Sequence, residues 1–182
     1  MTTPNRSPAR RQRGITLVES TITLLVTAVA VGTAAPSFQQ ARLKRQLDGT
    51  AAQLATDLRH ARSLAVAQRQ SVRFSVQQHT GGSCYVIHTG PKQACSCDPQ
   101  GAAMCQGGAQ AFVSAGFPAS GAVRISASAA DVLIEPDRGT VTPTTTVRAH
   151  AADGRSVHQI VNILGRVRAC SPDGPTSGYP AC

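Results

Sequence analysis

A chain of 182 residues is long enough for one folded domain with a sizeable hydrophobic core. Of its formal net charge of +9, four units come from arginines in the first 13 residues and five from segment 39–73, which holds seven basic and two acidic residues. The remaining charges balance, so the net charge by itself does not locate a nucleic-acid site.

The N-terminal region is a basic tail followed by a long apolar segment. From Ile15 to Phe38 the 24 residues include one charge, Glu19. A helix of this length spans a bilayer core of about 30 Å. Four upstream arginines without an acid predict that the short tail stays cytoplasmic. Because a carboxylate in a membrane helix costs about 2.5–3.5 kcal/mol, Glu19 is predicted to have a function.

Four interpretations of this region compete. It would be a single-span anchor with an incidental Glu19, a secretory signal peptide cut after Ala30 or Ala35, or a twin-arginine export signal at Arg10–Arg11. The fourth interpretation accounts for more of the features. The run Gly14-Ile15-Thr16-Leu17-Val18-Glu19 resembles the class III processing site of type IV prepilins and type II secretion pseudopilins.

This resemblance implies that a prepilin peptidase cuts after Gly14 and that Ile15 becomes the methylated N-terminus. Glu19 would then be the fifth mature residue, retained to neutralise the α-amine of a neighbouring subunit, so that two buried charges pair. Pro36 would be the twenty-second, where many pilins carry a helix-kinking proline. The implied partners are other pilins or pseudopilins in a filament. The implied location is the bacterial inner membrane, crossed once, and then the pilus or pseudopilus.

The rest of the chain divides into a helical part and a β-rich part. From Leu43 to Ala65 apolar residues recur at steps of three and four, which predicts an amphipathic helix reaching about Gln70, continuous with the membrane helix. After Ser71, eight short β-branched runs alternate with Gly, Pro and Ser. The predicted fold is α+β and type IV pilin-like, a long N-terminal helix packed on a small antiparallel β-domain. Its expected parts are a cytoplasmic leader at 1–14, a transmembrane or filament-core helix at 15–38, an amphipathic helix at 39–70 and a disulfide-containing, periplasmic or extracellular β-domain at 71–182.

Six cysteines in an exported domain indicate disulfides rather than a metal site. A zinc site of three of them with His88 would lack the usual ligand spacing, so we expect no metal. The sequence does not decide the pairing of Cys84, Cys95, Cys97 and Cys105, which we expect to staple an insertion. The pair that we favour is Cys170–Cys182, which would close a Pro/Gly-rich loop and resembles the late disulfide of many type IV pilins.

Three further segments, 54–65, 134–140 and 160–170, resemble the GspH/FimT group. Together with the processing site, the resemblance covers nearly the whole mature chain apart from the insertion at 84–105. The common enzyme motifs Gly-x-Ser-x-Gly, the phosphate loop and His-Glu-x-x-His are absent from the sequence. We therefore expect neither catalysis nor a cofactor.

The run Gly165-Arg166-Val167-Arg168 is the one constellation with a predicted ligand. Alternate residues of a strand share a face about 6.6 Å apart, so Arg166 and Arg168 would present two guanidinium groups to adjacent phosphates while Val167 faces the core. Gly165 would leave room for a nucleic-acid backbone. The run resembles the Gly-Arg-x-Arg motif by which FimT minor pilins bind incoming DNA. Because only 3% of residues are aromatic, binding would be phosphate-directed, sequence-tolerant and salt-sensitive.

Two alternative functions remain open. The first is a GspH-like minor pseudopilin of a type II secretion system, in which Arg166 and Arg168 are solvated residues that protect an edge strand. The second is an exported binding module whose N-terminus is an ordinary signal peptide.

Overall fold

The computed structural model describes residues 16–172 and 178–182. The chain separates into two compact units, Met1–Gln40 and Ala41–Cys182. One helix, α1 (Leu17–Gln68), contributes residues to both units. Gly14 and Ile15 lie outside the described residues.

In the first unit, α1 begins with a capped turn. The backbone N–H of Glu19 donates to Thr16 Oγ1 at 3.2 Å, so Thr16 is the N-cap and Glu19 occupies the first turn, where the helix dipole favours an acid. The helix is long and apolar enough to cross a membrane by length and composition, and none of its most apolar window is buried within the chain. Pro36 lies inside the helix.

Hydroxyl side chains in this apolar stretch bond to the helix itself. The Oγ1 of Thr27 donates to the Thr23 carbonyl at 2.7 Å, and the Oγ of Ser37 donates to the Ala34 carbonyl at 2.9 Å. Thr21, Thr23 and Thr33 make the same kind of bond. These polar groups are therefore satisfied without water, which suits a helix surrounded by lipid or by other apolar helices.

In the second unit, α1 turns one apolar face to the β-domain. Its buried side chains are small or unbranched at Cβ and recur at steps of three and four: Leu47, Ala51, Leu54, Ala55, Leu58, Ala61 and Ala65. The helix ends at Gln68, followed by Arg69 with a φ of 51°.

Eleven strands follow in the described part of the chain. They are β1 (Val72–His79), β2 (Gly82–His88), β3 (Cys95–Cys97), β4 (Ala103–Cys105), β5 (Ala111–Pro118), β6 (Val123–Ala127), β7 (Asp131–Ile134), β8 (Val141–Thr142), β9 (Thr145–Ala151), β10 (Ser156–Val161) and β11 (Val167–Cys170). They form a five-stranded sheet in the order β5-β2-β1-β7-β8, a four-stranded sheet in the order β11-β10-β9-β6 and the two-stranded ribbon β3-β4. Their pairings are antiparallel.

The helix packs against the inner faces of both large sheets. From the five-stranded sheet, the hydroxyl of Tyr85 donates to the carboxylate of Asp57 on α1. Burial, aided by this bond, raises the pKa of Tyr85, so the phenol stays protonated and remains a donor. From the four-stranded sheet, Gln159 Nε2 donates to the Ala51 carbonyl at 2.9 Å. Valine, isoleucine and phenylalanine side chains of both sheets complete one core around α1. The α+β fold, with a long helix on antiparallel sheets, is the one that the sequence predicts.

The insertion between β2 and β5 covers the outer face of the five-stranded sheet. The disulfides Cys84–Cys97 and Cys95–Cys105 staple it and settle the pairing that the sequence left open. Gln77 on β1 also holds the insertion, since its Nε2 donates to the Cys95 carbonyl and its Oε1 accepts from the Cys97 N–H. A third disulfide joins Cys170 and Cys182.

Candidate functional site

The outer face of the four-stranded sheet carries an arginine from each of three strands. Arg168 on β11 lies opposite Ile160 on β10. Arg148 on β9 lies opposite His158 on β10. Arg124 on β6 lies opposite His150, two residues along β9 from Arg148.

Opposite residues, and residues two apart on one strand, point to the same side of a sheet. Arg124, Arg148 and Arg168 therefore share one face, which is the outer one because the residues between them in sequence, such as Ile125 and Ala149, are buried in the core.

Arg166 extends this row at the hairpin between β10 and β11. The sequence predicts that Arg166 lies in the strand, but β11 begins one residue later, at Val167. Arg166 is still part of the tight turn that leads into the strand. Arg166 and Arg168 are both exposed and both line a shallow groove of about 510 Å³, together with Ile160, Asn162 and Val167. Val167 packs partly against the core, as the alternation of the sequence predicts. The row formed by Arg124, Arg148, Arg168 and Arg166 is called the arginine stripe below.

Asn162 sets the shape of the hairpin turn. Its Oδ1 accepts hydrogen bonds from the backbone N–H of Leu164 at 3.1 Å and of Arg166 at 2.9 Å. Its own carbonyl accepts from the N–H of Gly165 at 2.9 Å. An asparagine side chain that holds two turn N–H groups fixes where the following residue leaves the turn. The position of Arg166 beside Arg168 is therefore built into the loop.

Gly165 lies in close contact with Gly139 and with Arg62 of α1. It is buried with a φ of 71°, and a Cβ there would lie 2.6 Å from the Gly139 carbonyl oxygen and 2.8 Å from Arg62 Cδ. Arg62, on α1, donates from Nε to the same Gly139 carbonyl at 3.2 Å. The expected space for a nucleic-acid backbone at Gly165 is thus filled by Arg62, and glycine is required by the close approach and the positive φ.

The arginine stripe has no acidic counterpart on its own sheet. β6, β9, β10 and β11 contain no Asp or Glu. Within the described residues the ion pairs are Lys44–Asp48, Arg73–Asp131 and Arg155–Asp153, so none involves the stripe. At the β9–β10 turn, a hydrogen bond from Arg155 lowers the pKa of Asp153, which keeps that carboxylate charged but already paired. Among the described residues, the stripe is thus a row of positive charges without an acidic partner.

The sequence motif singles out Arg166 and Arg168, but it does not point to Arg124 and Arg148, which the structure places on the same face. The sequence signal for these two arginines is weak, because Arg148 is one polar residue of an alternating strand and Arg124 lies in a strand of only five residues. Alternation shows that each side chain points outward, but it does not say which strands are neighbours. Glu19 and Pro36 belong to the first unit, whereas the four arginines belong to the second.

Comparison with known protein families identifies the family of this chain. The family described as type II transport protein GspH matches residues 50–165, more than half of the chain. The chain belongs to the GspH family. The match begins in α1 and ends at Gly165, so Arg166 and Arg168 lie just beyond it.

A solved structure agrees with the fold, and a second shows a weaker likeness. The type IV minor pilin FimU of Pseudomonas aeruginosa superposes with a TM-score of 0.50 at 17% identity, over 74% of this chain and 96% of the FimU chain. The minor pseudopilin EpsH from the type 2 secretion system of Vibrio cholerae has a TM-score of 0.49 at 9% identity, over 70% of this chain and 98% of the EpsH chain. No curated protein matches the sequence significantly.

The chain thus belongs to the GspH family and shares the fold of the type IV minor pilin FimU. Proteins of the pilin and pseudopilin families are structural and assemble with one another into filaments. The long apolar helix in the first unit is in keeping with a membrane-anchored subunit of such a filament.

Proposed function

We propose that this chain is a FimT-like minor pilin that is incorporated into a type IV pilus and binds DNA through Arg166 and Arg168. The observation that carries the proposal is that these two exposed arginines line one groove. Guanidinium groups form charge-assisted, bidentate hydrogen bonds to phosphate, so a neighbouring pair suits two phosphates of a nucleic-acid backbone.

The assembly route follows from the N-terminal sequence. A prepilin peptidase removes the leader 1–14 by cutting after Gly14, and Ile15 is then methylated. Residues 15–38 lie in the inner membrane and later in the filament core, 39–70 form the amphipathic helix, and 71–182 form the exported β-domain. Glu19 meets the α-amine of a neighbouring subunit, and Pro36 adjusts the helix for packing. The exposed apolar side chains of this helix, among them Leu24, Leu25 and Phe38, support burial by lipid or by other subunits.

N-terminal sequencing and mass spectrometry of the protein from its native membrane test this route. We expect a chain that begins with a methylated Ile15. A chain that begins after Ala30 or Ala35, or that retains residues 1–14, would refute it.

Phosphate-directed binding has a measurable signature in salt. For duplex DNA the logarithm of the binding constant falls with the logarithm of salt concentration by about 0.9 per phosphate neutralised. Two arginines acting alone predict a slope of about −1.8. One subunit would bind weakly, and several subunits in a filament would bind more tightly through multivalency.

Fluorescence anisotropy of a labelled duplex, titrated with the full chain in a nonionic detergent, tests the DNA site. Arg166→Ala combined with Arg168→Ala is expected to lower the magnitude of the salt slope by about 1.8. A matched control removes two exposed charges elsewhere, with Lys92→Ala and Arg45→Ala, and should leave the slope unchanged. Equal slopes for the wild type and the Arg166/Arg168 variant would eliminate the proposed site.

The second candidate function is that of a GspH-like minor pseudopilin without a nucleic-acid role. It is favoured by the family description and by the end of the family match at Gly165, before the two arginines. In this case Arg168, on the edge strand β11, protects an open sheet edge from pairing with another chain. The same titration separates the two functions, because a pseudopilin of this kind would show no salt-dependent DNA binding.

A further inference from the structure

We propose that the DNA backbone is bound along the whole arginine stripe, so that Arg148 and Arg124 contact phosphates in addition to Arg166 and Arg168. This inference rests on the proposed function and extends its site from one hairpin to the outer face of the four-stranded sheet.

The strand register gives the stripe its direction. Arg124 and Arg148 lie on neighbouring strands and one two-residue step apart, since Arg148 pairs with Ser126 and Arg124 with His150. Arg148 lies opposite His158 on β10, and Arg168 on β11 lies opposite Ile160, two residues further along β10. Going from Arg148 to Arg168 therefore crosses two strand spacings and moves one more two-residue step in the same direction. Arg166 adds another step beyond Arg168. The four residues therefore form a diagonal across the sheet rather than a scattered set.

The length of this diagonal suits a nucleic-acid backbone. Three strand spacings of about 4.8 Å and three two-residue steps of about 6.7 Å place Arg166 about 25 Å from Arg124. Phosphates of one strand follow each other every 3.4 Å or so along the duplex axis, so the stripe faces about seven base pairs. A hairpin contact alone would face about two.

The surroundings of the stripe favour one continuous anionic ligand. A shallow groove lies at each end: about 510 Å³ beside Arg166 and Arg168, and about 270 Å³ beside Arg124 and His150. Between them the strand register places Thr146, His158 and Ile160 on the outer face, together with Cys170 of the Cys170–Cys182 disulfide. The four strands contain no acid. Beyond the strands, the Asp153 carboxylate is held by Arg155. The C-terminal residue Cys182 also reaches this face, where its Sγ lies 3.9 Å from Nδ1 of His158.

The lack of acidic partners for these arginines also supports DNA binding along the stripe. Arg124 and Arg168 are exposed and Arg148 is half-buried, and none forms an ion pair within the described residues. Like charges on one face repel each other, and the sheet gains no stability from that arrangement. A polyanion would neutralise all of them at once.

The test counts phosphate contacts from the salt slope. The full chain in nonionic detergent is titrated into a fluorescein-labelled 20-base-pair duplex between 50 and 200 mM salt at pH 8. Four contacts predict a slope of about −3.6, which is a loss of about 150-fold in affinity over this range. Two contacts predict about −1.8 and a loss of about 12-fold.

Arg124→Ala combined with Arg148→Ala is expected to halve the slope of the wild type. Arg124→Lys combined with Arg148→Lys should retain it, because the phosphate contact depends on charge. Circular dichroism melting of each variant establishes that the β-domain is folded. The control pair Lys92→Ala and Arg45→Ala should behave as the wild type.

The outcomes separate this inference from the proposed function. If the Arg124/Arg148 variant keeps the wild-type slope while the Arg166/Arg168 variant loses it, the stripe is refuted and the hairpin site stands. If neither variant changes the slope, both are refuted. If each pair removes about half of the slope and all four together remove it, the stripe is established. Loss of the slope in the lysine variant would also overturn the inference.

Discussion

The stapled insertion covers much of the outer face of the five-stranded sheet, whereas the outer face of the four-stranded sheet is basic and carries the Cys170–Cys182 disulfide beside His158. On the first face, His88 and Val86 are fully buried beneath the stapled insertion, and Arg73 pairs with Asp131. On the second face, Arg124, Arg148 and Arg168 have no acidic partner among the described residues. Both sheets use their inner faces in the same way, to pack against α1.

This difference separates charges that belong to the fold from charges that are available for binding. A largely buried charge such as that of Asp131 is paired, because its desolvation costs free energy. An exposed arginine carries no such requirement, so it can remain unpaired until a ligand arrives. Substitutions on the covered face should therefore change stability, and substitutions on the basic face should change binding.

Removal of the Cys84–Cys97 disulfide should have the largest effect on the covered face. The bridge closes a loop with a sequence separation of 13 and anchors the insertion to β2. Cys84→Ser combined with Cys97→Ser is expected to lower the free energy of unfolding by about 3 kcal/mol. Urea titration followed by circular dichroism measures this. The exposed Met104 of the same insertion offers a control, since Met104→Ala should change stability by no more than about 0.5 kcal/mol.

Asp131→Ala should be the next most disruptive change. The carboxylate accepts hydrogen bonds from Arg73 and from the Ser75 hydroxyl, the latter at 2.7 Å, and its side chain is 9% exposed. The substitution leaves a partly buried guanidinium without its counter-ion, at a cost of about 2 kcal/mol. The same urea titration applies, with DNA binding unaltered. A variant as stable as the wild type would show that the ion pair contributes nothing to the covered face.

Gly165→Ala tests the boundary between the two regions. The added Cβ would meet the Gly139 carbonyl and Arg62, and alanine disfavours the positive φ, so stability should fall by about 1–2 kcal/mol. The salt slope of DNA binding should stay at the wild-type value, because the arginines themselves are retained. A stable variant with a reduced slope would instead mean that a ligand approaches Gly165 directly.

Asp153→Asn should have the smallest effect. The Asp153 pKa is lowered by its hydrogen bond with Arg155, so its contribution to stability is present above the unfolded pKa near 3.8 and disappears as the pH falls through the folded value. The variant should therefore lose less stability than the wild type when the pH is lowered from 5 to 2. Thermal melting across this range measures the difference. Parallel pH profiles would show that the exposed pair makes no contribution.

Local patterns in the sequence determined much of the fold. Apolar residues at helical spacing predicted a helix to about Gln70, and α1 ends at Gln68. Alternation predicted β-strands after Ser71, including outward side chains at Arg166 and Arg168. The short strands β3 and β4 were not predicted, because three residues are too few to show an alternating pattern. The pairing of these two strands also depends on the disulfides.

The tertiary structure alone decided which distant residues meet. The sequence allowed 15 ways to pair six cysteines, and the fold selected one by bringing β2 against the insertion. Arg124 joins Arg148 because β6 pairs with β9, and Gly165 must be glycine because Arg62 arrives from the helix. Periodicity is a property of neighbouring residues, so it reports which way a side chain points. Strand order and helix docking depend on contacts between residues far apart in the chain, which no local pattern encodes.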